Sequence, residues 1–402
     1  MNDQNDSMTH WLQLLDAASA DLLKEAESGD FRQVSRLGRL RERWGAGLAA
    51  AALELVAARR SAATKFPSLP GLVGDVAGVE QATGLLVAQH KAGRFSRLAP
   101  ERIHDLCCGI GGDALALAAV ASTTACDVDP LRAWMCGQNL EQAGLDGQVR
   151  CENVEDLALE GEVIHIDPSR REEDRKGGGQ GRRAWNFRNY RPGPEFIESL
   201  LERNPDSAVK LGPGIRIADL PLSENSELEF IEESGRLVQA VLWSGRLALN
   251  PGQHTASLVP LGEQLSGHPA APPCSSTPGP DTWIAVAAPS LERAGLLAGA
   301  CDRHGLVEMA AGLGILTGAS PPPGPWFRTF EVVESMPWRP RKVCAWLARR
   351  DAGLVEVKTR GGAVNPEEAR KKLRGRGDSR FTVFILRLGK KVVAIICKPP
   401  PG

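Results

Sequence analysis

Through the first 95 residues, apolar positions recur at three- and four-residue spacing. The stretches MTHWLQLLDAASADLLKEA, FRQVSRLGRLRERW and GLAAAALELVAARRSAA each gather them on one helical face. Pro67 and Pro70 close that region, and VAGVEQATGLLVAQHKAGRF predicts one more helix, ending at Phe95. From Pro100 the rhythm changes: short apolar runs (RIHDLC, TTACDVD, QVRCENV, EVIHIDPS) alternate with the helical stretches DALALAAVA and LRAWMCGQNLEQAG. Such alternation predicts βαβ units and a mostly parallel sheet. SAVKLG and LVQAVLW are expected to extend it.

Beyond Pro251 the pattern breaks. Residues 251–280, PGQHTASLVPLGEQLSGHPAAPPCSSTPGP, end in a Pro/Ser/Gly-rich half and read as a long connection or linker. TWIAVAAPS then predicts a strand and LERAGLLAGACDRHG a helix, before the break SPPPGP. The last 75 or so residues read as a separate α+β unit: strand FRTFEVVE, a helix around Arg341–Arg350, strand LVEVKTR, helix PEEARKKLR and a final strand pair in FTVFILRLGKKVVAIICKP. The expected division is a helical region over 1–95, an α/β core over 96–250, a connection with a strand–helix unit over 251–325 that completes the core, and a basic α+β domain over 326–402.

Composition narrows the class. The 402 residues carry 48 Lys plus Arg against 49 Asp plus Glu, and 42% are hydrophobic, which excludes a wholly disordered chain and a histone-like basic body. Charge is uneven nonetheless: between Lys358 and Lys391 eleven basic residues face three acids. The nine cysteines are scattered without a CxxC pair, so neither a disulfide framework nor a zinc site is expected, and a reducing cytoplasm suits the chain. The N-terminus has no secretory pattern, and no run of about 18 apolar residues occurs, so neither secretion nor membrane spanning is expected.

The chemistry concentrates in IHDLCCGIGGDALALA, residues 103–118. An apolar strand runs into Asp105, then Gly109, Gly111 and Gly112 make a tight turn where the missing Cβ atoms let a ligand approach the backbone, and Asp113 opens a helix. The full G-x-G-x-x-G spacing and a GKS/GKT sequence are both missing. An acid entering the turn repels pyrophosphate but accepts a hydrogen bond from an ammonium group. TTACDVDP ends in Asp127 and Asp129, about 20 residues on, where an acid can bind ribose hydroxyls. A cationic nucleoside without phosphate satisfies both strands, and S-adenosylmethionine is such a ligand. Asn153, Glu155 and Asp156 follow the third strand near the expected adenine edge; an N-cap role for Asp156 is the alternative.

The fourth strand ends in Asp167, Pro168, Ser169 and Arg170, at the edge that faces the crevice of an open α/β sheet. Asp167 is the expected partner of a nucleophilic nitrogen or hydroxyl, and Pro168 stiffens the loop. The following REEDRKGGGQGRRAWNFRNYRP mixes arginines with Trp185, Phe187 and Tyr190, a composition suited to closing over a nucleic acid. Lys210 in SAVKLGPG, at the end of the fifth strand, is expected to point to the same crevice.

Taken together, EQATGLLVAQHKAGRF, DLCCGIGGDALALA, CDVDP, HIDPSRR, VKLGPG and the C-terminal VEVKTRGGAVNPEEARKKLRGRG with FTVFILRLGKKVVAII resemble the bacterial class I S-adenosylmethionine-dependent methyltransferases that carry a THUMP-like C-terminal domain. The resemblance implies an α/β fold with a Rossmann-like methyltransferase core, an N-terminal helical region and a small α+β THUMP-like domain. It implies S-adenosylmethionine as cofactor and structured RNA as partner. It places Asp105, Gly109 and Gly111 at the methionine end, Asp127 at the ribose and Asp167 to Arg170 on the acceptor side; Cys107 and Asp156 are expected among the cofactor-binding residues by their positions after the first and third strands. The fourth-strand motif departs from the Asn/Asp-Pro-Pro-aromatic pattern of amino-methylating enzymes, having no aromatic at 170 to stack on a flipped base. Cys107 and Cys108 lie in the cofactor turn and read as small core residues rather than nucleophiles; His104 and His165 read as satisfied strand residues, with no metal cluster. The expected activity is direct methyl transfer to tRNA or rRNA, with an idle RNA-binding scaffold or a small-molecule methyltransferase as alternatives.

Overall fold

The computed structural model describes residues 2–29, 34–170, 186–275 and 279–399. The chain forms two compact units, Met1–Glu227 with Gln239–Pro251, and Leu228–Val238 with Gly252–Gly402. The expected segments 1–95 and 96–250 thus fall mostly in the first unit, and 251–325 and 326–402 in the second.

The first unit begins with helices Asn2–Leu14, Ala20–Ser28, Val34–Trp44 and Ala46–Ala62. Their apolar faces (Leu14, Leu22, Leu40, Leu55) pack in one core with Leu115, Met135 and Leu140 of the α/β layer that follows. Each such leucine contributes about 1.5–3 kcal/mol when fully buried. The single helix predicted over 76–95 is instead two, Val76–Gln81 and Leu85–Leu98. The break has an identifiable cause. Lys65 Nζ donates to the carbonyls of Val79, Glu80 and Ala82 at 2.8, 3.0 and 3.1 Å, satisfying the carbonyls that a continuing helix would use.

Five parallel strands follow: β1 (Arg102–Leu106), β2 (Ser122–Asp127), β3 (Gly147–Cys151), β4 (Ile164–Ile166) and β5 (Ser207–Leu211). Their spatial order is β5-β4-β1-β2-β3, with the strand Arg236–Ser244 antiparallel beside β5. Between β1 and β4 the order reverses, and in an open sheet of this kind the ligand crevice lies at the carboxyl ends of those two strands. This is a Rossmann-like sheet, and it places Cys107 and Asp167 at that edge, with Asp105 inside β1.

In the second unit, His254–Val259 pairs in parallel with Ser226–Glu233 and antiparallel with Glu263–Gly267. Residues 254–267 are therefore paired strands where a connection was expected; Gly262, at φ +74°, supplies the tight turn between them. Trp283–Ala287 pairs with Phe327–Pro337, so the strand–helix unit joins the C-terminal sheet rather than completing the β1–β5 sheet. That sheet continues through Lys391–Cys397, Ser379–Leu388 and Ala352–Arg360. Helices Pro340–Ala348 and Pro366–Leu373 cover one face, burying Val343, Leu347 and Leu373 on Val383 and Ile385. The alternate residues Phe384 and Leu386 fill the other face with Ile284 and Phe330, as the two-residue period of a strand requires.

Candidate active site

The turn after β1 bends through Cys107 (φ +60°), Gly109 (φ +56°) and Gly111 (φ +91°). These positions serve different ends. A Cβ on Gly109 would meet no atom within 4 Å, whereas on Gly111 it would lie 2.9 Å from Cys136 Sγ and on Gly112 2.8 Å from the Thr83 carbonyl. Gly109 faces open space, and the other two let the turn pack on the helix Pro130–Gln142 and on the Ala82–Gly84 break. Asp127, at the carboxyl end of β2, accepts hydrogen bonds from the Gly109 and Asp129 amides at 2.9 and 3.0 Å and so latches the turn to its neighbouring strand. Burial raises its carboxyl above the ordinary range, with those amides pulling it back. Asn153, rather than Asp156, caps the turn after β3, its side chain accepting from Glu155 N at 3.2 Å. Asp156 is exposed beside it.

Register places the remaining groups. Asp105 on β1 is the direct partner of His165 on β4, and His165 of Ala208 on β5. Residues two further along β4 and β5 share their face, so Asp167 and Lys210 project from the same side at the carboxyl edge, while Cys107 follows β1 in the turn. Onto that face the helix Leu85–Leu98 lays a stripe of Val87, Ala88, Lys91, Ala92 and Phe95, with Lys91 at its centre.

A continuous buried network results. Asp105 Oδ1 lies 2.7 Å from His165 Nδ1, and His165 Nε2 lies 3.1 Å from Lys91 Nζ. Lys91 is 2.6 Å from Asp113 Oδ1, while Thr83 Oγ1 donates to Asp113 Oδ2 at 2.6 Å. Lys210 Nζ lies 3.9 Å from Asp113 and 2.5 Å from Asp167 Oδ2. Exposure rises along the path, the side chains of Lys91, Lys210 and Asp167 being 1%, 13% and 32% accessible. Burial alone raises carboxyls, and so it does at Asp105. At Asp113, Lys91, His165 and Lys210 outweigh it and hold the carboxyl well below the ordinary range. Burial pulls Lys91 down against the attraction of Asp113.

Among the expected site residues, Asp105 departs from its anticipated place. It is wholly buried and engaged with His165, so it lies beneath the crevice and not on its surface. Cys107 is partly exposed, and burial followed by the charges of Asp127 and Asp167 pushes its thiol well above the ordinary range, which suits an inert thiol. Pro168 is buried and Ser169 exposed. Ser169 and Arg170 pair with Arg191 and Tyr190, whose hydroxyl accepts from Gly212 N at 2.9 Å after β5. Residues 171–185, Trp185 included, lie outside the described residues. Sequence reasoning passed over Thr83 and Lys91, gave Asp113 only the opening of a helix and set His165 aside; the available signal was a lysine at the centre of an apolar helical stripe and a histidine inside an apolar strand. A separate groove of about 760 Å³ lies beside Asp206 and Arg246, before the start of β5 and away from these carboxylates.

Known proteins share this architecture. Residues 327–399 match the family model described as THUMP domain-like. A protein of Mycobacterium tuberculosis (strain CDC 1551 / Oshkosh), named an uncharacterized S-adenosylmethionine-dependent methyltransferase, is 33% identical over 362 residues, covering 86% of this chain and 96% of that one. Its counterpart in strain H37Rv matches equally. The crystal structure of a candidate methyltransferase from Porphyromonas gingivalis W83 shares the fold, with a TM-score of 0.71 at 18% identity over 92% of this chain and 99% of that one. With a third of the residues identical over most of both chains and the THUMP domain-like match at the C-terminus, the chain belongs to the family of S-adenosylmethionine-dependent methyltransferases with a C-terminal THUMP-like domain, enzymes that use S-adenosylmethionine.

Proposed function

We propose that the protein transfers a methyl group to structured RNA, tRNA or rRNA, with the C-terminal domain holding the RNA. The observation that carries this reading is the basic surface of residues 358–391. Arg374, Arg376 and Arg380 are exposed around the loop between the helix Pro366–Leu373 and the strand Ser379–Leu388, with Lys371 and Lys372 in the turn before it. The loop is built to hold its shape: Gly375 N and Gly377 N donate to the carbonyls of Gly353 and Ala352, both at 3.1 Å. A Cβ on Gly353 would fall 1.7 Å from the Gly377 carbonyl, so backbone rests directly on backbone. Rigid, exposed arginines with no ion-pair partner among the described residues fit a phosphate backbone.

The first unit fits the cofactor. Open space over Gly109 admits a ligand against the backbone, and Asp127 and Asp167 supply negative charge for a cationic one. In this reading Cys107, Gly109 and Asp127 hold S-adenosylmethionine, Asp156 borders its base, and Gly111 and Asp105 support the turn from below. The cofactor supplies an electrophilic methyl group on a cationic sulfur. The chain's own task is alignment: Asp167 orients the acceptor, buried Pro168 fixes the loop, and Ser169 and Arg170 continue the acceptor side.

The test is transfer of labelled methyl from S-adenosylmethionine to RNA from cells lacking the enzyme, comparing wild type with Asp167→Ala and identifying the nucleoside after digestion. A labelled nucleoside lost in the variant is expected. Cofactor binding without incorporation into RNA would overturn the RNA reading in favour of a small-molecule acceptor.

A further inference from the structure

The Lys210–Asp167 pair is the one part of the network that reaches the crevice, and it says something about the acceptor. β4 and β5 run parallel with Ile166 opposite Val209, so the next residue of each strand, Asp167 and Lys210, stands side by side on the crevice edge. Lys210 Nζ engages Asp167 Oδ2 at 2.5 Å, while Asp167 Oδ1 has no hydrogen-bond partner among the described residues and the side chain is 32% accessible. One oxygen is held by Lys210, and the other is left without a partner on a side chain about one-third accessible.

Lys210 is itself unsuited to removing a proton. Burial pulls its ammonium down, but Asp167 and Asp113 outweigh burial and hold it above the ordinary lysine range. It keeps its proton at neutral pH and can only donate. Behind it stand Asp113, Lys91, His165 and Asp105, with Cys107 in the turn after β1; Asp113 is tied to Lys91 and Thr83 and cannot swing forward to replace Asp167.

We propose that Lys210 is a positioning residue for methyl transfer, fixing Asp167 through Oδ2 so that Oδ1 takes the proton of an acceptor that must lose one, a hydroxyl or N–H group of the RNA. The inference rests on the placement of Asp167 on the acceptor side. As the acceptor's lone pair forms its bond to the methyl carbon, the carbon–sulfur bond breaks and its electron pair stays on sulfur. The acceptor's proton passes to the Asp167 carboxylate and from there to water. A ring nitrogen attacking with a lone pair and no proton would make no use of this arrangement.

Two measurements on the full-length protein test it. The first needs no substrate: the Asp167 carboxyl is followed by carbon-13 NMR during a pH titration, its signal identified by loss in Asp167→Asn. In Lys210→Met the signal should titrate about one pH unit or more higher than in wild type, and Lys210→Arg should restore it. Identical midpoints in the three proteins would overturn the proposal whatever the substrate proves to be. The second is the pH profile of methyl transfer to unmodified RNA. Lys210→Met should lower kcat at pH 7 about tenfold or more with KM nearly unchanged and move the acid limb upward, and adding it to Asp167→Asn should cost nothing further. A wild-type kcat and pH profile in Lys210→Met would sink the idea. Should that variant not fold, Lys210→Arg decides alone: a kcat within about threefold of wild type is expected, and a loss beyond about a hundredfold overturns the proposal. Failure of wild type to label RNA while binding the cofactor refutes the RNA reading, and the carboxyl titration still judges Lys210.

Discussion

Six titratable side chains run from Asp105 to Asp167 in the first unit, and all but Asp167 are at most 13% accessible. Along residues 358–391 of the second unit the charged side chains are nearly all at the surface. Inside, every cation is met by a carboxylate or an imidazole at hydrogen-bonding distance, so charge sets geometry and protonation. Outside, the arginines around the glycine loop meet no such partners among the described residues, so their charge is available for an external anion.

The comparison can be broken most severely from within. Lys91→Met leaves Asp113 buried without its cation, and removing one partner of a buried pair costs about 3–5 kcal/mol; chemical denaturation should show that loss, and a cost below about 1 kcal/mol would mean that the network is not what holds the helix Leu85–Leu98 to the sheet. Replacing Arg374, Arg376 and Arg380 together by Ser should leave stability untouched and weaken RNA binding. Filter binding across a salt series should show the slope reduced by roughly 2–3, at about 0.7–0.9 for each phosphate no longer neutralised. An unchanged slope would remove these arginines from the interface. Gly353→Ala tests the loop's rigidity: its new methyl meets the Gly377 carbonyl, and overpacking of this kind costs about 1–3 kcal/mol, visible as a lower Tm together with weaker RNA binding.

The smallest effect concerns pH. Asp113 is held below its unfolded value of about 3.9, so its contribution is fully present above that value and is lost as pH falls through it toward the native one. Asp113→Asn should therefore flatten the acid side of the stability–pH curve, at the cost of a lower plateau near neutrality. A parallel downward shift with the acid limb intact would place the titrating group elsewhere.

Strand positions in the first sheet were legible because β1, β2, β4 and β5 are apolar runs bounded by Gly, Pro and Asp, and the Gly109 turn announces itself. The strand Ser226–Glu233 was not, since Glu227, Glu229, Glu232 and Glu233 make it read as surface. Glu227 is in fact buried, held by two hydrogen bonds from Arg94 at 2.7 and 2.9 Å, a partner 133 residues away. The same distance problem hid Lys91, whose imidazole partner lies 74 residues on. Asp167 and Lys210 were visible one at a time as strand-end residues, but their pairing follows from the register of β4 on β5, which spacing along the chain does not encode. The helix break at Ala82–Gly84 was invisible for a like reason: the lysine that ends the first helix belongs to a different segment.

Lys91 and Arg94 also bear on how this enzyme can be trimmed. Both sit on the helix before β1, upstream of where a designer would cut to obtain a minimal catalytic fragment starting near Pro100. Such a fragment would keep the glycine turn and all five strands, yet it would expose His165 and Asp113 on one side and Glu227 on the other, each stripped of its counterpart. The helix Leu85–Leu98 is part of the fold's inner wall, and a fragment that keeps these pairs begins ahead of Leu85.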